Sequence, residues 1–102
     1  MHELDLHQAQ AISAQLDVWY EAIGLEQSSE MKFAKLTEEV IEARIAHDEY
    51  TDMQTPHKRA ELAGELADVL FTTISLMNNY GIDANEALHQ VFTKNKIGRA
   101  HV

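Results

Sequence analysis

The sequence predicts an all-α fold, a four-helix domain with short connections and antiparallel neighbours. Three observations carry this expectation. Apolar residues recur three and four positions apart almost throughout, the period of a helix with one buried face. One proline (Pro56) and four glycines (Gly24, Gly64, Gly81, Gly98) are the only strong breakers. No strand-like alternation, internal repeat or low-complexity segment interrupts the pattern. The 102 residues are 45% hydrophobic and 25% charged, which suits one globular domain over 1–102 with a real core.

The first helix is expected from about Leu6 to Ile23. Asp5 suits the N-cap, Gln8 completes a capping box and Gly24 ends the helix. Its apolar stripe is Ala9, Ile12, Leu16, Trp19 and Ile23. The second runs from about Glu30 to Glu49 after Ser28-Ser29. Its inner face is Phe33, Leu36, Val40, Ala43 and then Ala46 or His47, with Phe33 in the core. The polar segment from Tyr50 to Thr55 reads as a loop. Thr55 caps the third helix and Pro56 takes its first position, where the missing N–H costs nothing. This helix continues to about Tyr80 and stops at Gly81. Asp83 to Glu86 forms another capping box, opening a fourth helix to about Ile97 with Gly98 as the stop. The third helix is apolar on more than one face, through Leu66, Val69, Leu70, Phe71, Ile74, Leu76 and Met77. One small domain hardly covers all of that, so part of it is expected to meet another subunit.

Several functions are excluded by composition. The absence of cysteine rules out disulfides, thiolate zinc sites and thiol chemistry, and suits a cytoplasmic protein. A net charge of −9 opposes nucleic-acid binding, which needs Lys and Arg against phosphate. The longest uncharged run, Val69 to Ile82, is too short to span a bilayer. The acidic, amphipathic start MHELDLHQAQ does not read as a secretory signal.

The acids are the informative feature. TEEVIE on the second helix holds Glu38, Glu39 and Glu42; GELADVL on the third holds Glu65 and Asp68. Residues three or four apart share a helix face, so each group projects together. If the two helices pack antiparallel, the groups face each other across one seam. Converging carboxylates repel in a low-dielectric groove and must protonate, splay into water or hold a cation. Oxygen ligands select hard ions, Mg²⁺, Mn²⁺ or Ca²⁺, and Mg²⁺ commonly shares its shell with substrate phosphates. Asp68 heads the most apolar run of the chain, where a purely solvated acid is hard to arrange.

Glu38-Glu39-x-x-Glu42, 22 intervening residues and Glu65-x-x-Asp68 resemble the EExxE…ExxD signature of the all-α nucleoside triphosphate pyrophosphohydrolases. Within that superfamily the text FAKLTEEVIEARIA and ELAGELADVLFTTISLMNNYGID is most similar to the small MazG-like proteins, and the resemblance extends from about Leu16 to Arg99. It implies Mg²⁺-dependent cleavage of a nucleoside triphosphate, on deoxynucleotides in nucleotide-pool house-cleaning, to the monophosphate and pyrophosphate. It also implies a helical homodimer or tetramer. Carried over, it makes Glu39, Glu42, Glu65 and Asp68 the metal ligands, and gives Glu38 the attacking water or a second metal. The basic tail Lys94-Asn95-Lys96 supplies candidate phosphate or sugar contacts, although Gly98 stands where the family pattern wants a further basic residue, and Arg99 follows it. A helix C-terminus favouring cations explains the same residues without function.

Trp19 and Tyr20 are candidates for stacking on a base, and Trp19 equally suits the apolar stripe. Lys32 and Lys35, just before the acids on the second helix, are candidate phosphate contacts, with solvated surface the stronger reading for Lys32. Glu86-Ala-Leu-His89 is one ExxH element where a di-iron bundle needs two, so His89 reads as a surface or interface histidine. No HExxH, catalytic triad or Walker loop is present. The alternatives are a related dUTP or phosphoribosyl-ATP hydrolase, or a non-catalytic helical interaction module.

Overall fold

The computed structural model describes residues 5–100, with side chains through Asn95. It is all-α: α1 spans Leu6–Ala22, α2 Ser29–Asp52, α3 Pro56–Asn79 and α4 Ala84–Ala100. Each helix starts where a side chain satisfies a free N–H. Asp5 Oδ1 accepts from the Gln8 N–H at 2.9 Å while Gln8 Oε1 accepts from the Asp5 N–H at 3.1 Å, the expected capping box. Ser28 Oγ accepts from Met31, Thr55 Oγ1 from Lys58 and Asp83 Oδ1 from Glu86, opening α2, α3 and α4. Gly24 and Gly81 stop α1 and α3 with φ of +85° and +65°, a conformation that a Cβ disfavours.

Two element boundaries differ from the sequence expectation. Helix α2 runs on to Asp52, so Tyr50, Thr51 and Asp52 are helical and the loop shrinks to residues 53–55. Polar composition misleads there because a solvated helix end needs no apolar face. Helix α4 passes through Gly98, which is therefore not its stop. A lone helical glycine costs only about 1 kcal/mol relative to alanine.

Helix α3 is the centre of the packing. It lies along α2 for most of its length and crosses α1, while α4 packs against α1. The three-residue connection between two 24-residue helices makes α2 and α3 an antiparallel hairpin. Gln10 stitches the rest: its Nε2 donates to Asn78 Oδ1 and the Ile82 carbonyl, and its Oε1 accepts from the Ala84 N–H.

The buried apolar residues are few and mostly small: Ala43, Ala46, Ile74, Leu76 and Ala84. The inward face of α2 is Lys32, Glu39, Ala43 and Ala46, not the face through Phe33 and Val40. Phe33 and Val40 are half exposed, so Phe33 is not core in this chain. On α1 the buried residue is Ser13, whereas Ile12, Trp19 and Ile23 of the expected stripe face outward. Leu66 and Leu70 of α3 are also exposed. On α1 and α2 the helical period is right but the phase is turned by about one residue, because polar side chains hold the inside; on α3, Ile74 and Leu76 are buried while Leu66 and Leu70 remain uncovered. Among the described residues, no helix is long and apolar enough to cross a membrane.

Candidate metal centre

The α2–α3 hairpin brings together Glu39 and Glu42 from α2 and Glu65 from α3. One carboxylate oxygen from each lies within 4.8 Å of the others. Spacing explains this: Glu39 and Glu42 are three residues apart on one face, and Glu65 enters from the antiparallel partner at the same level. Glu39 is buried, with 5% of its side chain exposed, and Lys35 Nζ meets its Oε1 at 3.1 Å. The other oxygen, Glu39 Oε2, is buried with no hydrogen-bond partner, and so is Glu65 Oε2. Buried polar atoms are rarely left unpaired. Two orphaned anionic oxygens on facing helices therefore fit a hard cation, which their chemistry favours over softer metals.

Electrostatics point the same way. Burial pushes the Glu65 carboxyl above the usual carboxylate range, and the charges of Glu42, Asp68 and Glu39 push it further. Lys35 is raised above the ordinary lysine value, chiefly by its hydrogen bond and ion pair with Glu39. In the metal-free protein Glu65 thus keeps its proton to higher pH than a free carboxyl does, and this contribution to folding is present at low pH and lost as pH rises through the folded-state pKa. A cation competes for the same oxygens and requires them ionised. The increase in melting temperature produced by millimolar Mg²⁺ is expected to grow from mildly acidic to mildly alkaline pH; differential scanning calorimetry across that range checks this, and a pH-independent or absent increase contradicts it.

The other candidates sit differently. Asp68 is exposed, one turn beyond Glu65 and outside the three-carboxylate group, although its charge reaches Glu65. Its position at the head of an apolar run carries no burial penalty in this chain, because much of that run is itself exposed. Glu38 is exposed beside Glu39. Lys94 and Asn95 are exposed on α4 and make no ion pair or hydrogen bond with the carboxylates among the described residues. The Lys96 side chain, and Arg99, lie outside the described side chains. His89 is exposed on α4, as expected. Trp19 is 59% exposed.

Sequence reasoning misplaced Lys32 and passed over Ser13 and Asp17, which lie on the same polar side of α1 and α2. Lys32, read as solvated, is buried; its Nζ donates to Asp17 Oδ2 at 2.5 Å, Asn79 Oδ1 at 2.7 Å and the Ser75 carbonyl at 3.1 Å. Ser13 is 1% exposed and its hydroxyl has no partner. The available signal was polar spacing: Ser13 and Asp17 are four apart on α1, and Lys32 is seven before Glu39 on α2.

The model of the phosphoribosyl-ATP pyrophosphohydrolase family matches residues 3–95. The chain belongs to that family. No curated protein and no solved structure matches it. The phosphoribosyl-ATP pyrophosphohydrolase family lies within the all-α nucleoside triphosphate pyrophosphohydrolases that the double acidic motif resembles, so the superfamily expectation holds. The match names this family, not the small MazG-like group. It assigns the chain to the pyrophosphohydrolases, hydrolases of phosphoric anhydrides in nucleotides.

Proposed function

We propose that the protein is a cytoplasmic, Mg²⁺-dependent pyrophosphohydrolase that converts a nucleoside triphosphate and water to the monophosphate and pyrophosphate, acting on deoxynucleotides in nucleotide-pool house-cleaning. The observation that carries this reading is the group formed by Glu39, Glu42 and Glu65, with two buried oxygens left unpaired. These three residues would hold the ion, and Asp68 would complete the set from the next turn of α3. When bound, Mg²⁺ neutralises phosphate charge and lowers the pKa of a bound water. The water oxygen bonds to the α-phosphorus as the α–β anhydride breaks, and pyrophosphate leaves. Glu38, exposed beside the group, takes the water's proton. Lys35 answers the phosphate charge from the preceding turn of α2, Lys94 and Asn95 add contacts from α4, and the sequence offers Lys96 as a further cation. Mn²⁺ satisfies the same oxygen donors.

The family match favours a second reading in which phosphoribosyl-ATP is the substrate, with the same bond broken. One assay separates the readings. With Mg²⁺, a panel of deoxynucleoside triphosphates and phosphoribosyl-ATP is expected to yield pyrophosphate and no orthophosphate, fastest on a deoxynucleotide. Preference for phosphoribosyl-ATP selects the second reading. No turnover on any of them leaves a helical interaction module.

A homodimer, or a pair of dimers, is part of the proposal. The radius of gyration is 16.3 Å, against about 13 Å for a compact chain of this length. Ile12, Val18 and Trp19 of α1, Ile41 and Ile45 of α2, and Leu66 and Leu70 of α3 are all more than half exposed. Apolar surface of that extent marks association in a soluble protein. Sedimentation equilibrium is expected to give two or four times the 11.6 kDa chain mass at micromolar concentration; a monomer contradicts it.

A further inference from the structure

Among the described residues, Lys35 is the one cation paired with the carboxylate group. Its Nζ lies 3.1 Å from Glu39 Oε1. Lys32 pairs instead with Asp17, Arg44 with Asp48, and Lys58 with Glu49 and Glu61. The Lys35–Glu39 pair is a poor helix staple, because the favourable order at four residues puts the glutamate first. Its two ends also differ in freedom. The Lys35 side chain is 57% exposed on a flexible stem, whereas Glu39 is held in the interior. The ammonium can leave; the carboxylate cannot.

Glu39 is divided between two demands. Oε1 faces the ammonium, while Oε2 is buried with no hydrogen-bond partner. Glu42 and Glu65 present oxygens within 4.8 Å of it. Lys35 therefore supplies one positive charge at the edge of a group that fits a divalent cation. Two cations on one buried carboxylate repel with little screening. On its other side, Lys35 lines the cleft between α1, α2 and α3. An ammonium has three N–H donors and Glu39 Oε1 occupies one, which leaves two for an anion entering that cleft.

We infer that Lys35 is the internal counter-ion of the metal centre and exchanges partners when the centre fills. It holds Glu39 in the metal-free protein, frees that carboxylate for a divalent cation, and turns its ammonium to the substrate phosphates. The phosphate half rests on the pyrophosphohydrolase reading; the metal half does not. Lys35 thus opposes the metal alone and favours the anion once the metal is present. By linkage, each ligand then strengthens the binding of the other. Its role is to position and couple, not to react.

Calorimetric titration of Mg²⁺ into the nucleotide-free protein tests the metal half. Lys35→Met is expected to tighten Mg²⁺ binding by about fivefold or more, the low end of coupling between sites. Lys35→Gln, which still offers Glu39 an N–H, should tighten it as well, and Lys35→Arg, which keeps the charge, should stay nearer wild type. Lys58→Met removes the same charge about 10 Å of helix from Glu65, where salt screens it, and should change little. Circular dichroism confirms that each variant is folded. The phosphate half is read with the non-hydrolysable α,β-methylene analogue of dATP. With saturating Mg²⁺, Lys35→Met is expected to bind it about tenfold more weakly, as for loss of a charged hydrogen bond. In EDTA the two proteins should behave alike, because Glu39 still holds the wild-type ammonium. Unchanged or weaker Mg²⁺ binding by folded Lys35→Met and Lys35→Gln overturns the inference, as does equal tightening by Lys58→Met. An analogue defect as large in EDTA as with Mg²⁺, or none with Mg²⁺, overturns the exchange. Tighter Mg²⁺ binding with no analogue bound by either protein upholds the counter-ion and sinks the pyrophosphohydrolase reading. Pyrophosphate release with unchanged metal affinity does the reverse.

Discussion

Exchanging Glu65 for Gln is expected to lower Mg²⁺-dependent pyrophosphate release by roughly a thousandfold in kcat/KM, in the range seen when a charge-stabilising group is removed from an active site. The same change is expected to raise the melting temperature of the metal-free protein. The two effects have one origin. Glu65 faces Glu42 and Glu39 across the hairpin, its Oε2 is buried without a partner, and burial with the neighbouring charges lifts its pKa. Gln keeps the shape and removes the charge, so the empty group loses its repulsion while the ion loses a ligand. Mg²⁺ should then no longer raise the melting temperature. Scanning calorimetry with and without Mg²⁺, beside a pyrophosphate assay, reads both arms. Retained turnover shows that Glu65 holds no essential ion; lowered stability of the metal-free variant shows that the carboxylate is satisfied structurally.

Opposite signs for stability and activity also explain how much of the molecule was legible in its sequence. Capping residues and glycines are local signals, and Asp5, Ser28, Thr55, Asp83, Gly24 and Gly81 all sit where local chemistry places them. The acids of the group were legible as well, because helical spacing alone aligns Glu39 with Glu42. The inner face of α2 was legible only in part: Ala43 and Ala46 are buried as expected, but Lys32 and Glu39 share that face. Its apolar residues Phe33, Leu36, Val40 and Ala43 have helical spacing, and the usual inference puts such a stripe inside. The structure instead turns Lys32 and Glu39 inward and leaves Phe33 and Val40 half exposed. Burying charged groups is costly on any local measure, so no rule built on hydropathy selects it. Rules of this kind are expected to fail where a functional site breaks them. On α1 the same reversal hides Ser13 and exposes Ile12 and Trp19. Both errors have a shared cause: polar side chains take the inward positions, and the apolar residues they displace lie on the surface.

Lys32→Ala is expected to be strongly destabilising. The ammonium ties α1 to α2 and α3 through Asp17, Asn79 and the Ser75 carbonyl, with 4% of its side chain exposed. Removing one partner of a buried ion pair costs about 3–5 kcal/mol, because the remaining charge stays desolvated without compensation. Asp17 keeps 20% of its side chain exposed, which relieves part of this, so the lower end of the range applies. In a domain of this size each kcal/mol lowers the melting temperature by about 4–8 °C. Against a total stability of about 5–15 kcal/mol, a monomeric fold has little left. Lys32→Met separates the two contributions. It restores the aliphatic length that Ala removes but none of the three hydrogen bonds, so its cost falls between those of wild type and Lys32→Ala. Adding Asp17→Leu to Lys32→Met removes the stranded charge and should recover stability relative to Lys32→Met alone, since a buried pair replaced by apolar residues is often close to neutral. Thermal unfolding followed by circular dichroism reads the series. Lys32→Ala within about 1 kcal/mol of wild type, the scale of a surface salt bridge, means that the ammonium is solvated after all. A double variant less stable than Lys32→Met means that Asp17 contributes through contacts other than its pairing with Lys32.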